Sequence, residues 1–340
     1  MTSFKKAVKA RNMDTFGYWV KSGSPWVWIN AAAVSASIIL VVGLLLIIAT
    51  RGLGHFWPTA IQEFTYLEDD GTPHVISGQL RTRETVLASR LVESGVEVPE
   101  GVETVDRILL KTGNRDITGE DFRWILEPRI SERKEPAELV ILERVEWGAF
   151  IGRVEGVKKD GERLDTDDAW GEFQAMLEHT AGLREQITEL EKGDIGSVNY
   201  RMERLRLAER KLELKDVDDP AAFADIEQQR KALDDEYQVL YEELGKLNQE
   251  IRRDAALMVT SDGVEVELPM YTVIDAWRPN DMNLLQQIGH YLYSGWLFIV
   301  DDPREANTEG GIFPAIYGTI LMVLLMTVVV TPFGVVAGVY

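Results

Sequence analysis

Two apolar stretches, one near each end, frame a polar block of about 260 residues. The first runs from Val27 to Thr50 and the second from Ile312 to Tyr340. Each has the roughly 20 apolar residues that one helix needs to cross a bilayer. A chain with this layout is expected to cross, to hold a large domain on the far side, and to come back.

Residues 1–26 carry Lys5, Lys6, Lys9, Arg11 and Lys21 against a lone Asp14. Short basic segments stay in the cytoplasm, so the N-terminus is read as inside and residues 51–311 as outside. Trp26 and Trp28 at one end of the first span, and Phe56 and Trp57 past the other, are expected as interfacial anchors. The alternative is a cleaved signal peptide. Its core would be about 7–15 residues with an Ala-x-Ala site after it, whereas this run is longer and ends Ala49-Thr50-Arg51.

The chain has no cysteine, which excludes disulfides and a cysteine-linked lipid anchor. The outer block must be held by its core alone, and it is large enough for that. With 36 basic and 56 acidic residues the net charge is −20. A surface this negative disfavours nucleic acid and repels small anions at long range. Any anion handled here would have to be delivered by something else.

Residues 51–165 read as mixed α/β. Ile61–Leu67 is an expected strand before the turn Asp69-Asp70-Gly71, and 82–93 an expected short helix on the spacing of Val86, Leu87, Arg90 and Leu91. Strands are expected at 107–111, 122–130 and 138–157, the last broken at Gly148 or Gly152, with Asp160-Gly161 as a closing turn.

Residues 166–255 change character. Phe223, Ile226, Arg230, Leu233, Tyr237, Leu240, Leu244, Leu247 and Ile251 alternate in steps of three and four, a heptad seam with one charged interruption. Asp218-Asp219-Pro220 marks its start, an acidic cap with proline in the first turn. Phe173, Met176, Thr180, Leu183, Ile187 and Leu190 form a second stripe, and Val198, Met202, Leu205 and Leu212 a third, separated by Gly193-Asp194-Ile195-Gly196. The expected arrangement is an antiparallel coiled-coil hairpin with its tip near 216–220 and its ascending arm broken at the glycines. It would be a scaffold or a partner-docking arm. The chain then returns to strand at 257–260, 264–268 and 270–277, so the hairpin reads as an insertion in an α/β domain whose β region resumes over 256–280. Residues 281–300, free of charge between Asp281 and Asp301, read as an amphipathic helix on the membrane face or as a core helix of the outer domain.

The four histidines, His55, His74, His179 and His290, have no metal-ligand spacing, and no nucleophile motif or phosphate-cradling loop is present. No catalytic or metal site and no cofactor is expected. The informative residues lie at 301–340. Gly310 and Gly311 allow a sharp entry, Pro314 fits a first turn, and Gly318 beside Thr319 permits close approach of another helix. Pro332 should kink the span, and Gly334 and Gly338 form a Gly-x-x-x-Gly face.

Gly310-Gly311-Ile312-Phe313-Pro314 with Gly318-Thr319, then Thr331-Pro332-Phe333-Gly334 and Ala337-Gly338-Val339-Tyr340, resembles the permease subunit of phosphate ABC importers, the PstA type. The basic N-terminus and the large domain before the second span resemble that family's long variants. The resemblance covers 301–340 and implies an integral protein of the bacterial inner membrane. Its two transmembrane helices, 27–50 and 301–340, would flank a periplasmic domain. The implied partners are an ATPase subunit, a second permease subunit, a periplasmic phosphate-binding protein and membrane lipid. ATP hydrolysis would belong to the ATPase, so the chain itself is not expected to be an enzyme. The family continues through further membrane helices and an ATPase-docking loop, so the sequence reads as the N-terminal part of such a permease. A polysaccharide chain-length regulator, with two spans and a coiled-coil domain, is the alternative.

Overall fold

The computed structural model describes residues 19–20, 22–68, 70–93, 95–96, 101–215, 219–300 and 311–339. The chain divides into two bodies, Met1–Trp57 and Pro58–Tyr340. In the first, helix α1 (Ser24–Leu53) starts at left-handed Gly23 with a proline in its first turn. The first turn tolerates proline because its N–H has no intrahelical partner. Pro25–Phe56 is long and apolar enough to cross a membrane, and none of it is buried.

The second body holds two antiparallel meanders. In the first, β1 (Ile61–Leu67), β2 (Pro73–Leu87), β3 (Thr104–Lys111), β4 (Phe122–Leu126) and β5 (Ile130–Lys134) lie in the order β4-β3-β2-β1-β5. In the second, β6 (Val140–Arg144), β7 (Phe150–Lys159), β9 (Ala255–Val259), β10 (Glu265–Pro269) and β11 (Val273–Trp277) lie in the order β10-β9-β7-β6-β11, with β8 (Glu162–Arg163) on β7. The mixed α/β reading therefore takes a purely antiparallel form here.

The second meander repeats the first strand for strand, down to its irregularities. A bulge falls at Arg81 between β2 and β3, and its equivalent at Glu155 between β7 and β9. Ser131 is the extra residue where β5 joins β1, and Ile274 where β11 joins β6. A 3₁₀ turn precedes the fifth strand in both, at Glu127–Arg129 and Met270–Thr272. A Cβ on Gly78 would lie 2.8 Å from the carbonyl oxygen of Lys111, the last residue of β3. One on Gly152 would lie 2.5 Å from that of Val259, the last of β9. Each repeat thus brings its second and third strands so close at one point that only glycine fits.

The two repeats meet through reciprocal contacts. Ser77 N donates to Ser261 Oγ (3.1 Å), and Ile151 N to Asn114 Oδ1 (2.9 Å). Ser77 and Ile151 each precede the tight glycine, and Asn114 and Ser261 each lie in the loop after a third strand. Contacts of this kind, recurring with the roles exchanged, mark an approximate two-fold joint. Ile61 and its equivalent Leu139 are both fully buried there, with Ile141 and Ile151. Asn280 Oδ1 accepts from Ile61 N (2.9 Å) while its Nδ2 donates to Ile61 O (2.8 Å) and Pro136 O (2.9 Å). The guanidinium of Arg144, buried on β6, forks onto Asp116 of the short helix α3 (Arg115–Thr118) at 2.8 and 2.9 Å.

Several expected elements shift. Residues 82–87 are strand, and only Ala88–Glu93 is helix (α2). Ladder pairing with β3 and cross-strand pairs such as Arg107–Glu84 outweigh the local helical spacing. Strand 122–130 stops at Leu126, and strand 270–277 begins only at Val273, because Pro128 and Pro269 flank or enter the 3₁₀ turns. The break within 138–157 falls at Gly148 (φ 74°), with Gly152 left inside β7.

Helices α4 (Ala169–Glu189), α5 (Gly196–Leu214) and α6 (Pro220–Ile251) are inserted between the second and third strands of the second repeat. Among the described residues the first repeat has only α2 in that connection. The expected break at Gly193–Gly196 is absent: a π-helical turn, Leu190–Ile195, carries α4 into α5 without interruption. Of the expected tip near 216–220, residues 216–218 lie outside the described residues, and Asp219 and Pro220 begin α6. Finally α7 (Leu284–Val300) leads towards α8 (Phe313–Val339).

Candidate functional site

Two features extend beyond the cores of the two repeats: the inserted arm and α8. The arm is seated in the second repeat. Phe173 and Met176 of α4 are buried among Val140, Phe150, Met258 and Met270. Arg184 Nη2 donates to Tyr271 O (3.2 Å) and Val273 O (3.0 Å), and the Arg252 guanidinium lies 5.3 Å over the Tyr271 ring. At its start the Asp219 carboxylate accepts from Ala221 N (3.0 Å) and Ala222 N (3.4 Å), the cap that the sequence pattern predicts for α6.

Farther out, Arg201 pairs with Glu236 and Glu209 with Arg230, so α5 and α6 run antiparallel. Arg230 is the charged interruption of the α6 seam. Its partner Glu209 occupies the seam position that the spacing of Leu205 and Leu212 leaves empty. The two charges face each other between α5 and α6. The interruption at Arg230 stands out in the α6 spacing, whereas Glu209 as the facing acid emerges only from the paired helices. Replacing Glu209 and Arg230 together by leucine is expected to leave the arm folded and its melting temperature unchanged or raised. Glu209→Leu alone is expected to change it little, because the part-exposed Arg230 guanidinium keeps water and its second partner Glu227 at 3.2 Å. Thermal unfolding of the two variants and the unaltered chain checks this.

On the outer side of α5, Tyr200, Leu207 and Leu214 recur every seventh residue, and all three are exposed. Their spacing was in the sequence, but only the seam at 198, 202, 205 and 212 shows that this stripe points away from α6.

Of the residues singled out in the second apolar stretch, Gly310 lies outside the described residues, as do 301–309 and Tyr340. Gly311 precedes α8 and Pro314 is its second residue, where a missing N–H costs nothing. Thr319 Oγ1 donates back to Ala315 O (2.7 Å), and Thr327 and Thr331 do the same one turn behind themselves. Pro332 lies inside the helix. A Cβ on Gly318, Gly334 or Gly338 would meet nothing within 4 Å. Gly334 and Gly338 share one face, while Gly318 lies about 160° around the helix from them at 100° per residue. These residues therefore mark two faces rather than one site. Phe313–Val339 is long and apolar enough to cross a membrane, and none of it is buried.

Among the described residues no group of three His, Asp or Glu side chains is placed to hold a metal ion. No protein-family model, no curated protein and no solved structure matches this chain.

Proposed function

We propose that this chain is a permease component of an ATP-driven phosphate importer of the bacterial inner membrane. In this reading α1 and α8 cross the bilayer with the N-terminus in the cytoplasm and the repeats in the periplasm. The ATPase, a second permease subunit and a phosphate-binding protein are its partners. The observation that carries the reading is α8: an unburied apolar helix with Pro332 inside it and bare glycine faces at Gly318 and at Gly334/Gly338. Small residues let helix backbones approach closely inside lipid, where no hydrophobic force drives helices together. A plain anchor needs neither feature. The chain binds no phosphate on its acidic outer domain in this account; it contributes wall and docking surface.

The expected result is that the full-length gene product co-purifies with an ATPase and a second permease. Gly334→Leu with Gly338→Leu should abolish most of that association, while Val328→Leu, roughly at right angles to both glycine faces, should not. Normal association and phosphate uptake by the double variant would refute the role given to α8.

The arm, on this reading, is the docking element. Excising 166–255 outright would also remove Phe173 and Met176 from the core, so the informative deletion is shorter. Removing 191–239 and closing the helices with a glycine-rich turn should leave the two repeats folded while impairing complex formation or uptake. If both are unchanged, the arm has no docking role. The exposed Tyr200–Leu207–Leu214 stripe also favours a second reading, a two-span assembly protein such as a polysaccharide chain-length regulator. Native mass measurement in detergent separates the two. A homo-oligomeric ring lacking an ATPase supports the second reading, and a hetero-complex the first.

A further inference from the structure

Helix α7 is amphipathic in the opposite sense to a helix of a soluble domain. Its inward, half-buried residues include Gln287, His290 and Ser294. His290 lies 4.5 Å from the Trp277 ring of β11, and its Nε2 is 3.3 Å from Ser294 Oγ. The other half of the circumference carries Leu284, Leu285, Ile288, Leu292, Trp296 and Ile299, all exposed, with Leu285 at 80%. No charged residue lies between Asp281 and Asp301. A helix that turns polar groups inward and a wide apolar face outward is stable in water only if something covers that face.

We propose that the cover is lipid: α7 lies in the periplasmic face of the bilayer, with Leu285, Ile288, Leu292 and Trp296 sunk into the boundary between headgroups and acyl chains. Three observations favour lipid over a protein partner. The face is uniformly apolar over about half the helix, without the charged rim that sets orientation in a protein interface. Trp296 on this face and Tyr293 on its edge are the residue types that settle at the headgroup level. The end of α7 is also tied to the start of α8, since Ile312 N donates to Phe298 O (2.8 Å). The helix thus sits where the apolar span begins. It would act as a float that sets the height of the second repeat above the membrane, transmitted through the His290–Trp277 contact. An interfacial helix of this kind buries its apolar face about 5–10 Å deep.

This inference rests on the membrane-spanning reading of α8, and the test separates the two. The chain has no cysteine, so single spin labels can be placed on the full-length protein reconstituted in liposomes. Labels go at Leu292→Cys and Leu285→Cys on the outer face of α7, at Met326→Cys in α8, and at Glu162→Cys in the exposed turn of β8. The expected result is a severalfold higher ratio of oxygen to nickel-chelate collision at 292, 285 and 326 than at 162. A nickel-favoured signal at 292 and 285 with an oxygen-favoured one at 326 would overturn the lipid assignment alone. Labels at 292 and 285 shielded from both reagents would mean a protein cover and would overturn it too. Nickel-favoured signals at all four sites would overturn the span as well.

Discussion

Replacing Gly152 with valine is expected to destabilise the second repeat strongly. The new Cβ would lie 2.5 Å from the carbonyl oxygen of Val259 and 2.8 Å from the ring of Phe150, which is fully buried. Neither neighbour can give way. The first belongs to the β7–β9 ladder, and the second fills the core beside Phe173. Overpacking a tight core costs about 1–3 kcal/mol and sometimes more. With a backbone atom as the obstacle we expect about 3 kcal/mol or more, against a total stability of order 5–15 kcal/mol. Gly78→Val should do the same to the first repeat. Gly245→Ala, on α6 with open space around it, should instead stabilise by about 0.5–1 kcal/mol. Calorimetry of the full chain in detergent checks all three. A melting temperature for Gly152→Val equal to that of the unaltered chain would contradict the close approach.

Arg144→Met should loosen the joint between the two repeats. The guanidinium is 3% exposed, forks onto Asp116 across the joint, and its Nε also donates to Gly148 O at 3.0 Å. Removing one partner of a buried pair costs about 3–5 kcal/mol, chiefly by stranding the other charge. Asp116 keeps some contact with water, which places the expectation near the lower end. Arg144→Met with Asp116→Asn should recover part of the loss, and the double-mutant cycle measures the coupling. The pH dependence has a definite sign. Burial alone would raise the Asp116 carboxyl, but the hydrogen bonds and charge of Arg144 outweigh it and hold the group below its ordinary value. The stabilisation is therefore present above the ordinary carboxylate range and is lost as pH falls through the lowered value. Denaturant midpoints between pH 7 and acid should fall less steeply in the double variant than in the unaltered chain.

Much of the architecture was legible because its signals are local. Length and apolarity mark α1 and α8. The acid-proline start and three-four spacing mark α6, and alternation marks Ile61–Leu67 as β1. The internal repeat was not legible. Its equivalent residues share geometry rather than identity: Ile76-Ser77-Gly78 stands opposite Phe150-Ile151-Gly152, and Tyr66 opposite Arg144. What the repeats have in common is the tight glycine, two bulges and a 3₁₀ turn, and a bulge leaves little trace in composition. The arm of roughly 80 residues further separates β8 from β9. The 82–87 segment misled for a related reason. Its helical spacing is real, but pairing with β3 decides its conformation. On α8 the glycines and prolines were visible in the sequence, whereas their division into two faces needed the helix itself.

The account depends most on the side of the membrane that the repeats occupy. Single cysteines at Glu162, on β8, and at Asp235, on the exposed side of α6, can be probed with a membrane-impermeant thiol reagent on intact spheroplasts and on inverted vesicles. Labelling of both sites from the periplasmic side alone is the predicted result. Labelling from the cytosolic side alone, or recovery of the intact chain in the soluble fraction without detergent, would contradict it.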